Sequence, residues 1–367
     1  MKALRPTSIL AAALMLLATS ASAQLSLTPP PPNPFPKPIE PEKPKPKPKS
    51  DPKPPAAEKD KSRKPAADKA GAAKPGGAPT AEDAANLDDP NVDLVYGAYQ
   101  RGFYKTAFEI AIKRAQEQND PKAMTMLGEL YANALGVKRD YSKAVEWYRR
   151  AADLGDREAM FSLAMARMAG RGGAASREEA AKWLASSAKL GEPKAAYNLA
   201  LLYLDGQTFP QDIKRAAELL RVAADAGNSE AQYALATFYK EGTGVEKNLD
   251  QAVRLLQSAA LAGNVPAQVE YAIALYNGTG TVKNEPAAVA MLRKAARANN
   301  PIAQNRLAHV LLNGQGAPRD PVEAIKWHLV AKTAGKGDLM LDEAQAQLSA
   351  EDRAKAQDAA RKWVGTK

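Results

Sequence analysis

The chain lacks cysteine altogether and has only two histidines, His309 and His328, among its 367 residues. Without a thiol it cannot form a disulfide, carry a lipid on cysteine or use thiolate chemistry. Two histidines without cysteine do not supply the usual ligand set of a zinc site. Both histidines are therefore interpreted as packed or surface side chains, and no metal or cofactor is predicted.

Long apolar runs are also scarce. The stretch Ile9–Ala18 follows Lys2 and Arg5 and precedes the small residues Ala-Ser-Ala at 21–23. This order is typical of a secretory signal, so residues 1–23 are predicted to be removed on export, with an uncleaved anchor as the alternative. No later run approaches the roughly 18 apolar residues of a membrane span. We therefore expect a periplasmic or secreted protein with no transmembrane segment after signal cleavage.

The net charge of +10 is concentrated near the N-terminus. Residues 24–80 hold twelve Lys/Arg against six Asp/Glu, together with 17 of the 27 prolines. Such a segment buries too little apolar surface to fold, so residues 24–90 are predicted to be a disordered Pro/Lys-rich tether. The tether either contacts an anionic envelope surface or only aids solubility. Residues 81–367 are nearly neutral, which argues against nucleic-acid binding.

From Asp120 to Gly335 the sequence repeats every 36 residues, six times, without an insertion or deletion. The units begin at Asp120, Asp156, Glu192, Asn228, Asn264 and Asn300. The fourth and twenty-fifth positions are always alanine: Ala123, Ala159, Ala195, Ala231, Ala267 and Ala303, then Ala144, Ala180, Ala216, Ala252, Ala288 and Ala324. A fixed period of this length indicates a solenoid, whose units bury their apolar faces by stacking on neighbours.

Each unit predicts two helices. In the fourth unit Asn228 and Asn248 can cap the two helix starts, and Gly263 suits a left-handed residue that ends the second helix. Glu179 and Glu323 stand three residues after the equivalents of Asn248 in their own units, which predicts capping boxes. The invariant alanines are predicted to mark close contacts between helices, where a larger side chain would force the stack apart.

These units resemble the Sel-one-like repeat family, a relative of tetratricopeptide repeats. The likeness lies in residues 123–131 (Ala-x3-Leu-Gly-x2-Tyr), 136–140 (Gly-Val-x2-Asp) and 144–155 (Ala-x2-Trp-Tyr-x2-Ala-Ala-x2-Gly). The resemblance implies an all-α, right-handed α-solenoid of helix-turn-helix repeats over 120–335. Residues 91–119 and 336–367 look like terminal capping helices, which cover an open core. The resemblance also implies an adaptor role, since some exported bacterial members modulate sensor proteins of the envelope.

Nothing in the sequence favours catalysis. Ser186 and Lys189 match the Ser-x-x-Lys start of penicillin-recognising serine enzymes, but chance alone gives about one such match and no Ser-Asp-Asn or Lys-Thr-Gly accompanies it. Action on β-lactams or peptidoglycan is claimed for cysteine-rich relatives. The absence of their disulfides counts against carrying that activity over, and the chain is expected to be no enzyme.

A second apolar face runs along the first helices, at positions six, ten and thirteen of each unit. Its candidate partner-binding residues are Phe161, Met165, Met168, Tyr197, Leu201, Leu204, Tyr233, Ile273 and Tyr276. In tetratricopeptide-like solenoids this side lines the concave groove, where such side chains would suit a partner helix or an extended peptide. The alternative is that neighbouring first helices bury these positions.

The leading hypothesis is a non-enzymatic scaffold or regulator of the bacterial envelope. Its partner would be another envelope protein, bound through the concave face of the solenoid. Two further hypotheses remain open from the sequence. One is a structural protein held to the cell wall by its basic tether, and the other is an adhesion or host-facing role after further export.

Overall fold

The computed structural model describes residues 94–365, and the predicted signal and tether lie outside the described residues. Residues 94–365 form sixteen α-helices and no strand. Their bounds are α1 Leu94–Gln100, α2 Tyr104–Glu117, α3 Pro121–Asn133, α4 Tyr141–Asp153, α5 Arg157–Met168, α6 Arg177–Lys189, α7 Pro193–Asp205, α8 Ile213–Asp225, α9 Ser229–Glu241, α10 Leu249–Leu261, α11 Val265–Asn277, α12 Glu285–Arg297, α13 Pro301–Asn313, α14 Pro321–Thr333, α15 Leu339–Gln347 and α16 Ala350–Gly365.

Helices α3 to α14 form six pairs, one pair for each 36-residue unit. The first helix of a unit packs against its own second helix, and that second helix packs against the first helix of the next unit. This order confirms the predicted solenoid. Helices α1 and α2 precede the first unit, and α16 packs on α14 after the last. No helix within residues 94–365 has the length and apolar character that a bilayer span requires.

The invariant alanines lie in the interior of the stack of helices. All twelve are buried, with at most 2% of their surface exposed. Alanine has no side chain beyond Cβ, so the helix axes can approach closely at these points, and a larger residue would overpack the joint. Their burial agrees with the close helix contacts expected from the sequence, and the effect of a larger residue stays a prediction.

The helix caps also follow the sequence. Asn228 Oδ1 accepts from the amide of Ala231 at 2.7 Å, and Asn248 Oδ1 from that of Gln251 at 3.0 Å. Equivalent side chains cap all the remaining helices of the six units. The residue that ends each unit has a positive φ, including 63° at Asn299, the one unit end that is not glycine. Asparagine tolerates this conformation better than most non-glycine residues.

The predicted capping boxes are wrong. Glu179 pairs with Arg167 at 3.1 Å and Glu323 with Arg293 at 2.5 Å, so neither reaches back to its own helix start. In a capping box each glutamate would accept from the backbone amide of its N-cap residue, Ser176 or Asp320, and that amide already donates elsewhere. In all six units the N-cap amide donates to a carbonyl of the preceding first helix, at 2.8–3.1 Å: Asp140 to Tyr131, Ser176 to Arg167, Asp212 to Tyr203, Asn248 to Tyr239, Asn284 to Leu275 and Asp320 to Leu311.

Gly128, inside α3, is smaller than its equivalents in the other units, and Tyr148, which it faces on α4, is larger than most of its own. Position nine of the unit is alanine in five units and Gly128 in the first. A Cβ added at Gly128 would lie 2.3 Å from a ring carbon of Tyr148. Tyr148 occupies the position held by leucine in units two to five: Leu184, Leu220, Leu256 and Leu292. The first unit therefore combines a smaller residue on α3 with a larger one on α4.

Candidate functional site

The nine candidate residues lie on four successive first helices, α5, α7, α9 and α11, and all are half-buried. We call the set of positions six, ten and thirteen on all the first helices the first-helix face. Hydrogen bonds join neighbouring helices along it. Ser162 on α5 donates to Glu129 on α3 at 3.2 Å, and Lys240 on α9 to Glu270 on α11 at 3.0 Å. The face is therefore lined by adjacent helices.

Seven of the nine side chains also contribute to packing. They lie against the buried clusters between the helices: Phe161, Met168, Tyr197, Leu204, Tyr233, Ile273 and Tyr276. Met165 and Leu201 differ. They are half-buried, yet neither packs against a core cluster formed within residues 94–365. Both occupy position ten, on the adjacent helices α5 and α7.

The two central tyrosines show how closely the first helices approach each other. Burial raises the pKa of Tyr197, and the negative charge of Glu230 on the next first helix adds to the rise. Burial raises the pKa of Tyr233 in the same way, with Glu270 as the second cause. A charge introduced at either tyrosine would thus enter a packed and partly acidic environment. Met165 and Leu201 are better positions at which to probe the surface.

Candidate residues border two cavities on the first-helix face. A cavity of about 200 Å³ borders Phe161 and Met165. Tyr148 also borders it, and its hydroxyl donates to Glu129 at 2.9 Å. A larger cavity of about 650 Å³ borders Ile273 and lies at the C-terminal end of the face. The candidate residues thus contribute to two cavities, and the lining of each mixes polar and apolar side chains.

The larger cavity contains residues that sequence reasoning did not select. Arg306, on α13, and Lys336, in the loop after α14, both border it. One signal was visible in the repeat: positions six and ten are apolar in the second, third and fifth units but become Asn305 and His309 in the sixth. The position of Lys336 depends on how the last loop folds back, which the repeat pattern does not encode.

The histidines are each paired with an aspartate. His309 Nε2 lies 3.0 Å from Asp338, and His328, which is fully buried, lies 2.8 Å from Asp342. Lys332 also donates to Asp342, at 2.7 Å. Hydrogen bonds from Lys332 and His328 hold the pKa of Asp342 below its ordinary value. Both pairs connect the sixth unit to the segment that follows it, and no group of three potential ligands forms a metal site within residues 94–365.

The Ser-x-x-Lys match lies on the last turn of α6. The hydroxyl of Ser186 donates to the carbonyl of Lys182 in the same helix, at 3.1 Å. The adjacent Ser187 is fully buried, and its hydroxyl donates to the carbonyl of Arg157 on α5 at 2.7 Å. Both hydroxyls therefore donate hydrogen bonds to backbone carbonyls.

Comparison with known proteins identifies the repeat. The family described as Sel1 repeat matches six consecutive segments: residues 121–156, 157–192, 193–228, 229–264, 265–300 and 301–336. These boundaries lie one residue after those read from the sequence. No curated protein matches the chain.

Several solved structures are similar to this chain. The crystal structure of a Sel1 repeat protein from Oxalobacter formigenes is 27% identical, with a TM-score of 0.56, and the match covers 65% of this chain and 94% of that one. A protective antigen of uropathogenic Escherichia coli with an SLR fold is also 27% identical, with a TM-score of 0.49 and coverage of 71% and 64%. Helicobacter pylori cysteine rich protein B is 24% identical, with a TM-score of 0.30 and coverage of 36% and 94%.

Proposed function

Because the chain belongs to the Sel1 repeat family, whose members are generally protein-interaction scaffolds, we propose that it is a non-enzymatic scaffold or regulator of the bacterial envelope. It binds another envelope protein through the first-helix face. The partner supplies an apolar helix or an extended segment that lies across α5 and α7.

The observation that carries this proposal is the pair Met165 and Leu201. Both are apolar and partly exposed, both lie at position ten of adjacent first helices, and neither is used by the core clusters of residues 94–365. The exposed part of an apolar side chain outside the core clusters can contact a partner. Methionine adds an adaptable surface, because its unbranched side chain fits partners of different shape.

The proposed location rests on the N-terminal sequence. Residues 1–23 have the charged start, apolar stretch and small-residue end of an export signal. The basic segment that follows, 24–90, would let the repeats reach a partner at a distance from an anionic surface. Both segments support an exported scaffold, and neither supplies chemistry for catalysis.

Site-specific crosslinking tests the proposal. The photoreactive residue p-benzoylphenylalanine is placed at Leu201 in the full chain, and adducts are collected from the envelope of the source bacterium and identified by mass spectrometry. Leu261 on α10 is the matched control site, since this leucine is 64% exposed on a second helix. We expect a discrete envelope-protein adduct from position 201 and none from position 261.

Three results would contradict the proposal in whole or in part. Adducts that form equally at both sites would indicate non-specific contact. An adduct formed only at position 261 would move the binding surface to the second helices. Absence of the exported chain from the envelope fraction would remove the proposed location and leave the scaffold role to be tested in another compartment.

A further inference from the structure

The larger cavity on the first-helix face combines cations with an apolar floor. It lies between α11, α13 and the loop of residues 334–338 and has a volume of about 650 Å³. Ile273, Leu292 and Val310 contribute the apolar part. Arg306 and Lys336 contribute two cations. A volume of this size is in the range of sites that hold small ligands or short peptide segments.

The two cations are not neutralised by the protein. Neither Arg306 nor Lys336 has an ion-pair partner within residues 94–365, and both are exposed. Elsewhere on the first-helix face a cation is paired, as Lys240 is with Glu270 at 3.0 Å. The cavity therefore keeps two positive side chains that no carboxylate within residues 94–365 pairs with.

One acidic residue also borders the cavity, and it is already engaged. Asp338 caps α15 by accepting from the amide of Leu341 at 3.2 Å. It also lies 3.0 Å from His309 and accepts from Asn305. These contacts hold the loop against α13, which brings Lys336 to the rim of the cavity. The carboxylate of Asp338 thus has a structural role and does not pair with either cation.

Amide groups complete the lining. Asn277 and Asn313 border the cavity and offer donors and acceptors to a ligand backbone, and Gln315 on the rim accepts from Tyr276 at 2.5 Å. Cations, side-chain amides and an apolar floor in one cavity match a peptide that carries a carboxylate close to an apolar side chain. Arginine is suited to such a group because its planar fork can bind both carboxylate oxygens.

We propose that this cavity binds a peptide carboxylate adjacent to an apolar side chain, with Arg306 and Lys336 holding the carboxylate and Ile273 and Val310 receiving the side chain. The inference rests on the proposed function, since it assigns chemistry to one end of the same face. The carboxylate is either the C-terminus of the bound segment or an internal acidic side chain.

Three short peptides test the site and distinguish the two sources. The first is acetyl-Ser-Gly-Ala-Leu-Leu with a free C-terminal carboxylate, the second is its C-terminal amide, and the third is that amide with Glu in place of Gly. Binding to the full chain is measured by isothermal titration calorimetry. If the site binds a C-terminal carboxylate, the first peptide binds about tenfold or more tightly than the second. If the site binds an acidic side chain, the third peptide binds about tenfold or more tightly than the second.

The variant Arg306→Gln with Lys336→Gln should remove this preference while its helical circular dichroism is unchanged, because both side chains are exposed. The matched control is Lys182→Gln with Lys294→Gln, which removes the same charge from exposed positions on α6 and α12. The control should bind as the wild type does.

Equal binding of all three peptides, absence of binding up to millimolar peptide, or a preference that survives Arg306→Gln/Lys336→Gln would overturn the inference. An equal loss in the lysine control would also overturn it, since the effect would then be long-range charge. Failure here together with a specific adduct at position 201 would reject the cavity and leave the proposed function standing.

Discussion

The exchange between Gly128 and Tyr148 allows a quantitative test of how the repeats are packed. A Cβ at position 128 would meet three ring atoms of Tyr148 at 2.3, 2.5 and 2.8 Å, far inside normal contact. The ring cannot easily move away, because Tyr148 is 4% exposed and its hydroxyl is fixed on Glu129. Overpacking of this kind costs about 1–3 kcal/mol.

Helix propensity acts in the opposite direction. Alanine in place of glycine inside a helix is favourable by about 1 kcal/mol. With rigid surroundings the overpacking cost lies at the upper end of its range, so we expect Gly128→Ala to destabilise the protein by about 2 kcal/mol. From propensity alone the same substitution would be stabilising. The sign of the change therefore decides between the two effects.

A double-mutant cycle identifies the partner. Tyr148→Leu alone should destabilise by about 2 kcal/mol, since it leaves a cavity beside glycine and removes the bond to Glu129. The combination with Gly128→Ala recreates the alanine–leucine pairing of units two to five. We expect the double variant to be more stable than the sum of the single effects, with a coupling of about 2 kcal/mol, within the range measured for residues in contact.

Urea unfolding followed by circular dichroism measures all four proteins. The slopes must be compared as well as the midpoints, because a repeat array can unfold in parts. Additive effects would refute the account of the packing, and so would a stabilised Gly128→Ala single variant.

Two further predictions concern the stack and its C-terminal end. Ala252→Leu should destabilise by roughly 1–3 kcal/mol through overpacking, whereas the exposed change Lys247→Ala should stay within about 0.5 kcal/mol, and equal urea midpoints would contradict the packing of the alanines. The pKa of Asp342 lies below its ordinary value because Lys332, and then His328, donate hydrogen bonds to its carboxylate. These bonds stabilise the folded state fully above the pKa that Asp342 has in the unfolded chain. The stabilisation is lost as the pH falls through the lower pKa of the folded state. Thermal midpoints should therefore fall more steeply below about pH 4 in the wild type than in Asp342→Asn, and parallel curves would show that the pair does not contribute.

The repetitive part of the fold was predictable because one unit is repeated in register six times. Ala252 and its eleven equivalents are buried, and Asn228 and Asn248 cap helices as their residue types indicate. The capping box at Glu179 failed for a tertiary reason. The amide of Ser176 bonds to the carbonyl of Arg167 on another helix, and a local motif cannot reveal that competition.

The site was less predictable than the fold. Periodicity places Leu201 and Tyr197 on one face. It does not show that Tyr197 packs against a core cluster, whereas Leu201 belongs to none of the clusters within residues 94–365. That difference depends on the distance between neighbouring first helices. The cavity at Arg306 depends on a loop that follows the repeats, so only the loss of apolar residues at Asn305 and His309 was visible in advance.

The most direct test of the central claim is partner capture by Met165→Glu combined with Leu201→Glu. The control is Val222→Glu with Leu261→Glu, on second helices, where the side chains are 51% and 64% exposed. Capture from the envelope fraction is quantified by mass spectrometry, and folding is checked by circular dichroism. The account predicts a folded first variant with capture reduced at least about tenfold, since an unpaired charge opposes burial against a partner, and a control that captures normally. Undiminished capture by the folded first variant would contradict the account, and so would its unfolding, which would make both residues part of the core.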